Sequence, residues 1–349
     1  MELYNKYDKK LLKEQLQNET FNRVTFSFYR YVKIDDPERL RDELYTQWNQ
    51  LNAFGRIYLA SEGINAQMSI PVGYYDQLLR ELNKRTGFEN IEMKVAVEDN
   101  GKSFYKLKIV VRDKILADGL NEGSFDVTKV GKHLSAAQFN EAMELEDTIA
   151  VDFRNHYESE IGHFKGAFLP DADTFSQAIP IVMKELYGKE KNKILLYCTG
   201  GIRCEKASAY LKHRGFEDVN QLQGGIISYA DQVKKENIES KYIGKNFVFD
   251  ERLGERITSE IISACHQCGE PCDTHTNCRN DDCHLLFIQC KTCENEYTGC
   301  CTDECKEIAN LSLNEQRELR KGPKREKPLV YAKGRLRPKL KEFFSERRK

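Results

Sequence analysis

Residues 193–206 read KILLYCTGGIRCEK. The short apolar run Lys193–Tyr197 has the length and punctuation of a buried strand, and a helix is predicted from about Cys204 to Arg214. Cys198 stands where the strand ends and the turn toward that helix begins. A cysteine in such a place is often a small hydrophobe packed before a turn. Here strand, Cys, Gly200-Gly201, Arg203 and helix fall in register, and together they predict a thiolate site. Two adjacent glycines let the backbone curl until several N–H groups point at the sulfur. The positive end of the helix and the fixed charge of Arg203 add to this. All three favour thiolate over thiol, so Cys198 is the predicted catalytic residue, with Thr199, Gly200, Gly201, Ile202 and Arg203 as its active loop. Cys204 reads either as a thiol that resolves an oxidised or persulfidated Cys198 or as packing beneath the loop, and spacing alone leaves both open.

Working outward, Thr148–Phe153 (TIAVDF) reads as a second buried strand and Val219–Leu222 as a third, before Gly224-Gly225. A helix from about Phe175 to Tyr187 separates the first two. Strands alternating with helices predict an α/β domain with a central parallel sheet over residues 146–240. Asp152 and Arg154, at the end of the strand Thr148–Phe153, are expected to form an ion pair bracing the loop. Before this domain, residues 114–145 read as a connector ending in a helix opened by the capping box Ser135/Gln138.

Residues 1–19 form a polar helical lead-in, and an α+β domain is predicted over 20–113. Val24, Phe26 and Phe28 alternate as a strand; Leu40, Leu44, Trp48 and Leu51 share a helix face opened by Asp36-Pro37. Strands at Arg56–Ala60 and Ile64–Ile70, a helix carrying Tyr75, Leu78, Leu79 and Leu82, and strands at Met93–Val97 and Tyr105–Val111 complete it. The order β-α-β-β-α-β with one extra strand is ferredoxin-like, or acylphosphatase-like. That fold hosts unrelated functions and does not identify chemistry.

Several motifs now carry a resemblance. Cys198–Arg203 (CTGGIR) resembles the six-residue active loop of the rhodanese superfamily. Asp152-Phe153-Arg154-Asn155 with Glu158, the run Gly162–Ala167, and the closing turn Leu222-Gln223-Gly224-Gly225-Ile226 resemble its flanking signatures. The related phosphatases use a loop one residue longer, which speaks against phosphatase chemistry. Across residues 20–305 the chain resembles the rhodanese-domain tRNA uridine(34) hydroxylases, through Gly55–Ala66 (GRIYLASEGINA), through CTGGIRCEK and through the cysteine-rich segment. What the resemblance implies is oxygen-dependent hydroxylation of the wobble uridine of tRNA to 5-hydroxyuridine, with tRNA as partner, molecular oxygen as co-substrate and Cys198 essential. The residues themselves predict an activated thiol, which equally suits a sulfurtransferase carrying sulfur as a Cys198 persulfide. An adaptor that had given up the chemistry would be expected to lose the Cys or the glycines, and both are present. No flavin, haem or nucleotide motif is seen.

Ten of the twelve cysteines fall between Cys265 and Cys305. The two C-x2-C pairs, Cys265/Cys268 and Cys290/Cys293, predict one zinc ion in a small module over 241–305. Cys272, His275, Cys278, Cys283, His284, Cys300, Cys301 and Cys305 remain, enough for a second ion with ambiguous pairing. The spacings match no ferredoxin pattern, which argues against an iron–sulfur cluster.

The chain has 349 residues, 40% hydrophobic and 31% charged, enough for real cores. Its net charge of −1 hides an asymmetry: residues 306–349 hold 15 Lys/Arg and 6 Asp/Glu, a balance of +9, which leaves −10 for the rest. Within this basic tail, Lys324, Arg325, Lys327, Lys333, Arg335 and Arg337 are the candidate RNA contacts, with Tyr331, Phe343 and Phe344 as stacking faces. No apolar run approaches a membrane span, and the N-terminus MELYNKYDKKLLKEQ lacks the apolar core of a secretory signal. A cytoplasmic protein with reduced thiols is expected.

Overall fold

The computed structural model describes residues 7–120 and 125–321. After helix α1 (Lys9–Gln17), the first domain runs β1 (Arg23–Tyr31), α2 (Pro37–Gln50), β2 (Phe54–Ala60), β3 (Gly63–Pro71), α3 (Tyr75–Asn83), β4 (Lys94–Val95) and β5 (Leu107–Val111). The Asp36 side chain accepts from Arg39 N and Pro37 occupies the first turn, so α2 starts where the sequence places it. The sheet order is β4-β1-β3-β2-β5. Neighbours are antiparallel except β2 and β5. The first four strands thus take the ferredoxin-like arrangement and β5 extends one edge.

Phe26 and Phe28 of β1 pack with Ile57, Leu59, Ile64 and Met68 against Leu44 and Trp48 of α2 and Leu78 of α3. Because side chains alternate across a strand, Thr25, Ser27 and Tyr29 point to the opposite face, away from the helices. β4 is shorter than the expected strand 93–97. Val97 N donates instead to the Glu255 carboxylate, so the chain leaves the sheet to meet a segment far along the sequence.

The second domain contains β6 (Lys132–Leu134), α4 (Ala136–Met143), β7 (Thr148–Asp152), α5 (His156–Ser159), β8 (Gly162–Phe164), α6 (Phe175–Glu185), β9 (Lys193–Tyr197), α7 (Ile202–His213), β10 (Asp218–Leu222) and α8 (Gly225–Glu236). Its main sheet is β6-β10-β9-β7, parallel throughout. One apolar cluster lies under α6 and α7, another under α4 and α8, so both faces are covered, as a parallel sheet requires. This sheet begins earlier than the sequence reading placed it. β6 and α4 lie inside the expected connector 114–145, yet β6 pairs with β10 and forms an edge of the sheet. Three residues are too few to show strand alternation by themselves.

Then follow β11 (Tyr242–Asn246), β12 (Glu255–Arg256), β13 (His275–Asn277), β14 (Leu286–Ile288), α9 (Lys291–Tyr297), α10 (Asp303–Asn310) and α11 (Leu313–Lys321). β11 pairs with β8 and with β12, so the start of the expected cysteine module is built onto the second domain. The cysteines themselves gather around the β13–β14 hairpin and the helices after it. Among the described residues no helix is long and apolar enough to cross a membrane. The candidate RNA contacts Lys324, Arg325, Lys327, Lys333, Arg335 and Arg337 lie outside the described residues.

Candidate functional site

Cys198 follows β9 directly, and α7 begins four residues later. Gly201 caps α7 in the left-handed region at φ 98°, and its N–H donates to Cys198 Sγ at 3.1 Å. A Cβ at Gly201 would also meet the Tyr29 hydroxyl at 2.8 Å, so both backbone shape and close approach demand glycine. The closing turn holds the loop from the other side. Ile226 N donates to Cys198 O and Ile227 N to Thr199 O. At Gly225, φ 68°, a Cβ would lie 2.6 Å from those two carbonyl oxygens.

Cys198 is fully buried, which by itself would push its thiol up. A hydrogen bond from the Cys204 thiol, the Arg203 charge and the N–H groups of Cys204 and Arg203 outweigh burial and bring Cys198 down to about 6. Burial and the neighbouring thiolate push Cys204 well up. Of the two thiols, Cys198 is therefore the one favoured as thiolate.

Arg203 is fixed by a bidentate pair with Glu158, at 2.6 and 2.9 Å, and by Thr199 Oγ1 at 3.3 Å. Asp152 and Arg154 form the expected ion pair at 2.6 Å, with both side chains fully buried. The expectation that this pair braces the loop needs correction. Arg154 spends its remaining donors on Gly162 O, Tyr242 and Asn246, which ties β7 to β8 and β11. The carboxylate that braces the loop is Glu158, at the start of a helix too short to read from periodicity.

The polar face of the first sheet roofs this loop. Thr25, Ser27, Tyr29, Asn65, Gln67 and Lys94 line a cavity of about 300 Å³ whose floor includes Cys198, Thr199, Gly200 and Arg203. A third wall comes from Val248, Phe249 and Arg252. Arg252 is held between Asp250 and Glu255, each at 2.5 Å.

The residues after the loop clasp the two domains together. The Tyr29 hydroxyl donates to Glu205 at 3.0 Å, and Glu205 also meets His133 at 2.9 Å. Lys206 is buried between Glu62 at 2.8 Å and Asp118 at 2.7 Å. Glu62 in turn accepts from Ile115 N. Two stretches of unusual sequence, Gly55–Ala66 and Cys198–Lys206, thus meet across 144 residues of chain. Sequence reasoning named Glu158 only within a flanking signature and gave Glu62, Glu205 and Lys94 no part in the site. The polar alternates Thr25, Ser27 and Tyr29, set against the apolar Phe26 and Phe28, are the signal that a second face of β1 is in use.

Two groups of four cysteines could each hold a metal ion: Cys265, Cys268, Cys290, Cys293, and Cys278, Cys283, Cys301, Cys305. Within each, the sulfur atoms lie within 4.8 Å of one another. Cys268 and Cys290 are 3.5 Å apart, and Cys283–Cys301 and Cys301–Cys305 are 3.7 Å apart. Tetrahedral zinc with bonds of about 2.3 Å sets sulfur–sulfur edges of about 3.8 Å, so the donor type and the spacing both fit that ion. The first group is the one the two C-x2-C pairs predict. Of the leftover candidates, Cys272, His275, His284 and Cys300 fall in neither group. His275 packs edge-on against Phe247, and burial pushes its imidazole down to about 3.

Residues 23–115 match the UPF0176 acylphosphatase like domain, residues 135–232 the rhodanese-like domain and residues 243–306 the rhodanase C-terminal domain. A tRNA uridine(34) hydroxylase of Leptospira interrogans is 54% identical over 342 residues, covering 98% of this chain and 93% of that protein. One from Hamiltonella defensa is 47% identical over 334 residues, covering 95% and 94%. One from an Enterobacter species is 46% identical over 342 residues, covering 97% of each.

Proposed function

The chain belongs to the tRNA uridine(34) hydroxylase family, and from that membership we propose that it hydroxylates C5 of the wobble uridine of tRNA, with Cys198 as the catalytic residue. The observation that carries the role of Cys198 is its place: a thiol lowered to about 6 on the floor of a cavity walled by two domains. The loop residues Thr199, Gly200, Gly201, Ile202 and Arg203 shape its cradle, and Cys204 supplies the S–H that keeps it ionised. Molecular oxygen is the co-substrate of this reading, and the substrate places the activity in the cytoplasm.

The two four-cysteine groups are assigned structural zinc, which would supply folding energy to a segment with little apolar core of its own. The body up to residue 305 is net acidic, so the basic tail, with Lys324, Arg325, Lys327, Lys333, Arg335 and Arg337, is the proposed electrostatic grip on tRNA.

The test is nucleoside mass spectrometry of tRNA from cells lacking this gene and carrying either the wild-type chain or Cys198→Ser. Wild type restores 5-hydroxyuridine; the serine variant, whose hydroxyl stays protonated at neutral pH, restores none. Restoration of a thiolated nucleoside, with hydroxylation unaffected, would replace this reading with sulfur transfer through a Cys198 persulfide.

A further inference from the structure

Among the described residues, Lys94 is the one lysine lining the cavity that holds Cys198. Its side chain is 3% exposed, and its nearest carboxylate, Glu92, lies 3.8 Å away and is itself 53% exposed. That distance is too long for a hydrogen bond. The ammonium lies instead 4.7 Å from the centre of the Tyr29 ring. Its stem runs along the thiol loop, where a Cβ at Gly200 would sit 3.7 Å from Lys94 Cδ. In register, Lys94 pairs with Ser27 on the polar face of the first sheet.

A buried cation with so weak a partner is costly, because desolvation is not repaid by a close counter-ion. Its amine is held below the usual lysine range by burial, with Glu92, the Cys198 thiolate and Glu205 opposing that shift. An ammonium in this state gives up a proton more readily than one in water. The same cavity holds the Gln67 carboxamide, which has no hydrogen-bond partner among the described residues. An amide offers one donor face and one acceptor face, as the imide edge of uracil requires.

Resting on the hydroxylase reading, we infer that this cavity is the uracil site and that Lys94 is a second catalytic residue, contributed by the first domain, which protonates O4 as Cys198 adds to C6. In that step the Cys198 sulfur forms a bond to C6. The C5=C6 electron pair moves through C4 onto O4, and the Lys94 ammonium delivers its proton there. C5 then takes a proton from water while the O4 proton returns to the Lys94 amine; loss of the original C5 hydrogen to the hydroxide so formed and departure of the thiolate return uridine. Nothing is oxidised or reduced, so this half of the chemistry runs without oxygen. Its trace is exchange of the C5 hydrogen with solvent. The adduct also makes C5 electron-rich, which is what an oxygen electrophile needs.

The experiment uses the full-length protein and tRNA tritiated at uridine C5, incubated without oxygen, with tritium counted in the water. Wild type releases it and Cys198→Ser does not. Lys94→Met is expected to slow release by about 100-fold, the scale of a lost general acid. Methionine matches the stem of lysine, and removing a poorly paired buried charge is neutral or stabilising, so the variant keeps its fold. Lys94→Arg, which keeps the charge but holds its proton, is expected between the two. Release by Lys94→Met at the wild-type rate overturns the assignment of Lys94. Absence of release from a wild-type protein that still hydroxylates tRNA in air overturns the addition step and leaves the hydroxylase reading standing. Absence of both overturns the reading on which the inference rests.

Discussion

At the scale of single residues, the site turns on which of two neighbouring thiols ionises. Cys198 and Cys204 are both buried, and burial disfavours thiolate at each. Their surroundings lower Cys198 and raise Cys204, so the first is the one favoured as thiolate. For Cys198, whose ionised form is favoured in the folded protein, the thiolate is present above about pH 6 and is lost as pH falls through that value. The difference in thiolate absorbance between wild type and Cys198→Ser is therefore expected to titrate with a midpoint of about 6. Cys204→Ala removes the largest favourable contribution and moves the midpoint upward; Cys204→Ser, which keeps a donor, moves it less. An unchanged midpoint in Cys204→Ala would mean that Arg203 and the backbone suffice. The loop was legible because its parts are contiguous: Cys198, two glycines and Arg203 act on one sulfur within six residues. Lys94 was not, and Glu158 was legible only as a member of a flanking signature, since each reaches the site through a contact that only tertiary structure makes.

At the scale of elements, periodicity worked where an element had a long apolar face and failed where it had none. α2 announces itself through Leu44 and Trp48. β6, three residues long, becomes a strand only because β10 lies beside it. The cysteine groups show the same division. The spacing of Cys265, Cys268, Cys290 and Cys293 is regular enough to read as one set. Cys278, Cys283, Cys301 and Cys305 come together only because the β13–β14 hairpin and the turn before α10 fold back on each other. Freshly purified protein is expected to contain two equivalents of zinc. Cys283→Ser should lower this to one, and a strong chelator should unfold the region after Cys265 while the parallel sheet keeps its structure. Elemental analysis with circular dichroism checks this, and two equivalents retained in the Cys283→Ser protein would disprove the second site.

At the scale of the whole molecule, the cavity belongs to neither domain alone. Each domain has its own core, but their joint is made of single charges such as Lys206, Glu62 and Asp118, which look like ordinary surface residues until the domains meet. In the proposed reading the cavity takes a base and leaves the polyanionic body of tRNA to other surfaces. With +9 concentrated from Lys306 onward and −10 before it, deletion of residues 317–349 should weaken tRNA binding and flatten its dependence on salt, since fewer counterions are released. The loss should fall on KM more than on kcat. Binding at several salt concentrations decides this, and an unchanged slope would move the RNA surface onto the folded domains. The order in which the walls occur along the chain has a consequence of its own. A ribosome makes the roof residue Tyr29 176 positions before its partner Glu205, so a folded roof is waiting when the thiol loop emerges. The third wall, Val248 to Arg252, follows soon after. A low-pKa thiolate is oxidised wherever peroxide can reach it, and this order of synthesis shelters it almost from its first moment. A circularly permuted gene that translated the second domain first would leave Cys198 uncovered for the time needed to make the first, and should yield newly made protein already oxidised at that residue.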